Sequence, residues 1–138
     1  MRRLIPAIAA LLLLTLLAGC AGKVTKTPES TTRAYLNLMK AGKWQDAALL
    51  WDYDAQGRAG NADWDTFSAS QRKLIVKESK WADQKASSLE QWSSHFAGDI
   101  KIETVETSGD KAHAVLNGRV TGLDLVKVGD EWLISGMN

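Results

Sequence analysis

The apolar positions change rhythm three times along the chain. Residues 4–17 are almost continuously apolar, broken only by Pro6 and Thr15. From Pro28 the apolar residues recur at helical spacing: Tyr35, Leu38 and Met39 share one face, and Trp44, Ala47, Ala48 and Trp51 form a second stripe. Thr27-Pro28-Glu29 opens the first of these helices with a capping residue, a proline suited to the first turn and an acid at the positive helix end. Gly42 stops it. Asp52 to Asp65 is rich in Gly, Asp and Asn and is expected to be a loop. Helical spacing returns from Phe67 to Phe96, with Ile75, Ala82, Ala86, Leu89 and Phe96 on one face. Ser87-Ser88-Leu89-Glu90 has capping-box spacing and predicts a break there.

After Gly98 the period falls to two. Ile100 and Ile102 alternate with Lys101 and Glu103, and further strands are expected over Lys111 to Val120, Leu123 to Val128, and Trp132 with Ile134. Turn residues at Ser108-Gly109-Asp110, Thr121-Gly122 and Gly129-Asp130 separate them. Helices followed by consecutive strands predict an α+β domain, with N-terminal helices packed on one face of an antiparallel sheet.

The opening segment changes what the domain is for. Met1-Arg2-Arg3, the apolar run and then Ala18-Gly19 follow the charged, apolar and small-residue order of a secretory signal. The run is shorter than the roughly 20 residues that a spanning helix needs. Leu17-Ala18-Gly19-Cys20 closely resembles the bacterial lipobox. That resemblance implies a thioether-linked diacylglycerol on Cys20, cleavage on its N-terminal side and a further fatty acyl chain such as palmitate. Cys20 is the only cysteine of the 138 residues, so no internal disulfide is possible. Two or more acyl chains give stable anchoring where one does not. Ala21 follows, with no aspartate to resemble an inner-membrane retention signal. The periplasmic face of an outer membrane is therefore the expected location. The expected organisation is a signal peptide over 1–19, a lipidated tether over 20–27 and a domain over 28–138.

Charge excludes one class of partner. The formal charge of +1 becomes −1 once Arg2 and Arg3 leave with the signal peptide. A nearly neutral domain offers no basic field for nucleic acid. All six Trp lie in the mature part, enough aromatic surface for a core without other staples.

Thr27-Pro28-Glu29, Arg33-Ala34-Tyr35-Leu36 and Lys40-Ala41-Gly42-Lys43-Trp44 resemble the first helices of the nuclear-transport-factor-2-like superfamily. The run from Leu125 to Ile134 resembles its last hairpin, and within the superfamily the chain is most similar to small bacterial lipoproteins of unknown function. The resemblance implies a curved sheet wrapped by helices into a cone whose mouth can hold a small molecule. It also implies a choice between isomerase- or dehydratase-like enzymes and non-enzymatic binding modules, so fold alone leaves function open.

Three kinds of chemistry can be weighed from the residues. Acid–base catalysis would draw on Asp99, Glu103, Glu106, Asp124 and His113. The odd and even positions of Glu103 and Glu106 put them on opposite sides of a regular strand. His113 lies between Ala112 and Ala114, which places it on the solvated face, and no strand tyrosine is present to polarise a carbonyl. A zinc site is not expected from two histidines, His95 and His113, without a free cysteine. Asp52, Asp54, Gln56, Gly57 and Asp63 have the spacing of an EF-hand calcium loop. Gln56, Ala59 and the short Asp63 depart from that pattern, so any affinity would be weak. Trp81 and Trp92, eleven residues apart, form a candidate aromatic strip. The expected outcome is a non-enzymatic binding or interaction module without cofactor. Its partners are the membrane, through Cys20, and an envelope protein or a small apolar ligand. A pocket is expected at Tyr35, Trp51, Trp92 and Trp132.

Overall fold

The computed structural model describes residues 26–138. The signal peptide, Cys20 and most of the tether lie outside the described residues. The helices come first: α1 (Pro28–Lys40), α2 (Trp44–Ala48), α3 (Asp54–Gly60), α4 (Ala69–Glu78) and α5 (Trp81–Gln91), with 3₁₀ turns at Trp64–Thr66 and Ser93–Phe96. Four strands follow: β1 (Ile102–Ser108), β2 (Lys111–Leu116), β3 (Gly122–Val128) and β4 (Glu131–Met137). They pair in sequence order as one open antiparallel sheet. The fold is α+β.

Local chemistry fixes the helix starts. At α1 the Thr27 hydroxyl accepts the Ser30 N–H at 3.1 Å, while the Ser30 hydroxyl oxygen accepts the Thr27 N–H at 3.2 Å. These bonds satisfy two of the donors that every helix start leaves open. Ser68 and Gln71 make the same reciprocal arrangement at α4. Ser68→Ala should therefore lower stability by about 1 kcal/mol, read as a shift in the urea midpoint at unchanged slope. No shift would mean that packing alone positions α4.

One face of the sheet makes the core. Ala112, Ala114, Leu116, Leu123, Leu125, Trp132 and Ile134 are buried beneath Tyr35, Met39, Leu89 and Phe96 from the helical half. The Thr31 hydroxyl donates to the Trp132 carbonyl at 2.9 Å and ties α1 to β4 inside this core. The outer edge of β4 is covered by the chain leaving α2. Asp52 N–H donates to the Ile134 carbonyl at 2.7 Å, and Ile134 N–H to the Leu50 carbonyl at 2.8 Å. Trp51 thus leaves the helical stripe and becomes a parallel bridge partner of Ile134.

Four expectations are corrected. The 52–65 segment is not a loop throughout, because α3 and a 3₁₀ turn occupy most of it. The long helix breaks at Lys80, which sits in the left-handed region at φ 59°, and not at Ser87, which lies inside α5. β1 begins at Ile102 rather than Ile100, and β2 ends at Leu116, short of Val120, which is buried in the following bend. Finally, β1 shifts register between Ile102 and Thr104, so Glu103 is an extra residue. The bulge cancels the parity argument, and Glu103 and Glu106 are both exposed.

Candidate functional site

The four expected pocket residues fall into different surroundings. Tyr35 is fully buried and packs edge-on against Trp51, with centroids 6.3 Å apart, and against Phe96 at 5.7 Å. Trp132 is buried in the sheet core, and Trp51 is half-buried. Trp92 lies just past the end of α5, is exposed, and stacks on His95 at 4.8 Å. Trp81 is drawn instead towards the buried Trp64, with centroids 6.0 Å apart. The two ends of the expected strip are thus engaged by different neighbours.

None of the four lines the hollows found along α1. One hollow of about 360 Å³ lies between Glu29, Arg33, Leu36 and Asn37 on α1 and the 100–102 segment. A smaller one of about 90 Å³ adjoins it at Leu36, Asn37 and Ile100. Their rims mix Arg33, Lys40 and Lys101 with Glu29 and Asp99.

Polar chemistry is concentrated on the sheet face away from the helices. β2 and β3 set His113 directly opposite Asp124, and Nδ1 meets Oδ1 at 2.7 Å. A carboxylate only accepts, so Nδ1 carries the proton, and the Nε2 edge of the ring lies over Gly122. The His113 hydrogen bond holds the Asp124 carboxyl below its usual range, assisted by the Asn138 amide at 3.3 Å from Oδ2. Two strand glycines make room for the pair. A Cβ at Gly122 would stand 2.8 Å from His113 Cε1, and one at Gly136 would stand 3.2 Å from Asp124 Oδ2. The strand glycines were the available signal, since a glycine inside a strand marks a close approach. The pair has the hydrogen-bond order of a base and its orienting acid. Of the candidate acid–base residues it unites His113 with Asp124, and leaves Asp99, Glu103 and Glu106 exposed elsewhere.

The acidic 52–63 segment is built around a tryptophan. Trp64 is buried, its Nε1–H donates to Asp54 Oδ1 at 2.8 Å, and Arg72 lies 5.6 Å above its ring. Arg72 also reaches Asp54 at 3.5 Å. Residues that would be successive ligands of a calcium loop are instead wound into α3, and Gly57 faces the indole. Asp54, Gln56 and Gly57 are thus helical where an EF-hand has an irregular loop. Among the described residues no group of three or more His, Cys, Asp or Glu side chains is placed to hold a metal ion.

Asp52 is half-buried beside this segment. Burial raises its carboxyl above the usual range, against the pull of the Asp54 N–H that it accepts at 3.1 Å. A raised folded-state value disfavours folding once pH climbs through that value, and the penalty is absent below the unfolded value near 3.9. Asp52→Asn keeps an acceptor for the Asp54 N–H and removes the charge. It should raise the denaturation midpoint at neutral pH and leave it unchanged near pH 3, where both side chains are uncharged. A loss at neutral pH would show that the carboxylate itself is needed.

No family model, curated protein or solved structure matches this chain.

Proposed function

We propose that this chain is a bacterial lipoprotein, exported, cut before Cys20 and held by lipid on that cysteine to the periplasmic face of an outer membrane. Its domain, residues 28–138, acts there as a non-enzymatic binding module of nuclear-transport-factor-2-like, cone-shaped type. One observation carries the anchoring: the sole cysteine stands directly after Leu17-Ala18-Gly19 at the end of an apolar run with a basic start. Among the described residues no helix is long and apolar enough to cross a membrane.

The family reading is supported by the helix order and by the β3–β4 hairpin, where the quoted run from Leu125 to Ile134 lies. Binding is favoured over catalysis because the His113–Asp124 pair stands on an open sheet face. Both side chains are almost half exposed, and among the described residues no third acid, base or nucleophile is hydrogen-bonded to them.

Phase partition of the whole protein in a detergent that clouds on warming tests the anchoring. The account expects the protein in the detergent-rich phase. Recovery in the aqueous phase would remove it.

A further inference from the structure

One face of α1 and the approach to β1 enclose the larger hollow. Glu29, Arg33, Leu36 and Asn37 recur on a single helix face, and Ile100, Lys101 and Ile102 form the other wall. That wall is held in place. The Lys101 N–H donates to the Asn117 side-chain oxygen at 2.5 Å, and the Lys101 carbonyl accepts the Asn117 N–H at 3.1 Å. Ile100 is seated on Gly118, where an added Cβ would stand 3.2 Å from Ile100 Cγ1. The volume of about 360 Å³ lies within the range of small-molecule pockets.

The lining divides into an apolar and a charged part. Leu36, Ile100 and Ile102 pack against the core yet stay only half-buried. Arg33 and Lys101 bring two cations from opposite walls against one acid, Glu29. Glu29 takes a single N–H of the Arg33 guanidinium, at 2.8 Å, and leaves the other donors of that group to a ligand. Such an exposed pair is weak and can be shared. Among the described residues neither Lys101 nor Lys40, in the adjoining smaller hollow, has an ion-pair partner. The hollow is thus locally positive, opposite in sign to the mature chain as a whole.

We propose that this hollow binds the singly charged anionic head and first methylenes of an amphiphile, a fatty carboxylate or the phosphodiester of a lipid. The head lies between Arg33 and Lys101 with the Asn37 amide beside them, and the chain covers Leu36, Ile100 and Ile102. This rests on the reading of the domain as a binding module and adds the site and the ligand class. The anchored reading fits it: a tether over 20–27 spans at most about 30 Å, which keeps α1 within reach of a lipid surface.

The test uses the isoleucine methyl resonances of the whole lipid-bearing protein in phosphatidylcholine nanodiscs. After Cys20 the chain has four isoleucines, at 75, 100, 102 and 134. Ile100→Val and Ile102→Val identify the two signals of the hollow, and Ile75 and the fully buried Ile134 serve as controls. Octanoate should move the Ile100 and Ile102 signals saturably and leave the controls in place. Arg33→Gln and Lys101→Gln should each weaken octanoate about twofold to fivefold, and together about tenfold. Both side chains are exposed, so the thermal midpoint should hold. Octanol, which partitions into the same discs, should bind all variants alike. Discs that contain phosphatidylglycerol should move the same two signals without octanoate if the lipid phosphodiester is the source, and leave them in place if the free acid is. Unmoved Ile100 and Ile102 signals in both arms would overturn the site, as would an octanoate affinity that the double substitution leaves untouched. In that event, saturable shifts confined to Ile75 or Ile134 would keep the binding-module reading at another place, and four unmoved signals with every probe would remove its support as well.

Discussion

Gly57→Ala should destabilise the domain by about 3 kcal/mol, at the upper end of what overpacking a core usually costs. The direction is opposite to the ordinary expectation for a helix. In the middle of an exposed helix, alanine in place of glycine gains about 1 kcal/mol. Gly57 lies within α3 and is itself buried. A Cβ there would overlap Cδ2, Cε2 and Cε3 of the Trp64 ring. The ring has little freedom to retreat. Asp54 holds its Nε1, Arg72 lies over it, and Phe67 and Trp81 stand against it with centroids 6.3 and 6.0 Å away. Each kcal/mol lowers the thermal midpoint of a domain of about 100 residues by some 4 °C or more. A fall of 10 °C or more is therefore expected in a calorimetric or circular-dichroism melt. Trp64→Leu in the same background should recover part of the loss, because the two changes share one volume. A Gly57→Ala protein that melts with or above the parent would show that α3 does not pack on Trp64.

The second large effect is cellular. On the proposed lipoprotein reading, Cys20→Ser should leave the full-length precursor unprocessed, still carrying residues 1–19, because that reading attaches the lipid to sulfur and has cleavage follow attachment. A hydroxyl cannot form the thioether. Fractionation should show the mature band lost and the longer form accumulating. The domain itself should be unaffected, since Cys20 lies outside residues 28–138. Mature-length protein in the membrane fraction at parental levels would show that some other feature holds it.

The sequence disclosed the fold where local chemistry decides. Thr27, Pro28 and Gly42 bracket the first helix almost to the residue, and Gly42 adopts φ 73° beyond its end. Gly109 and Gly129 take the left-handed conformation at the two tight strand turns, as turn residues at those positions predict. It failed where distant contacts decide. Glu78-Ser79-Lys80-Trp81 contains neither Gly nor Pro, so nothing local announces the break at Lys80. Trp81 turns instead towards Trp64, a residue 17 positions earlier. Gly57 carried the wrong message for the same reason. In an acid-rich stretch it looks like a turn residue, but its missing side chain makes room for an indole.

The polar groups divide along similar lines. Ala112 and Ala114 correctly turned His113 away from the core. Its partner Asp124 was visible only as one of several acids, because the pairing depends on the β2–β3 register. Lys85 was not foreseen at all. Its place above the Trp51 ring follows from Trp51 leaving the helical stripe to join β4, an event encoded in the sheet edge rather than in the stripe.

Mass analysis of the N-terminal peptide from protein purified out of its native membrane tests the central claim most directly. The account predicts a chain that begins at Cys20 and carries a diacylglyceryl group on sulfur. A peptide beginning elsewhere, or an unmodified Cys20, would contradict it.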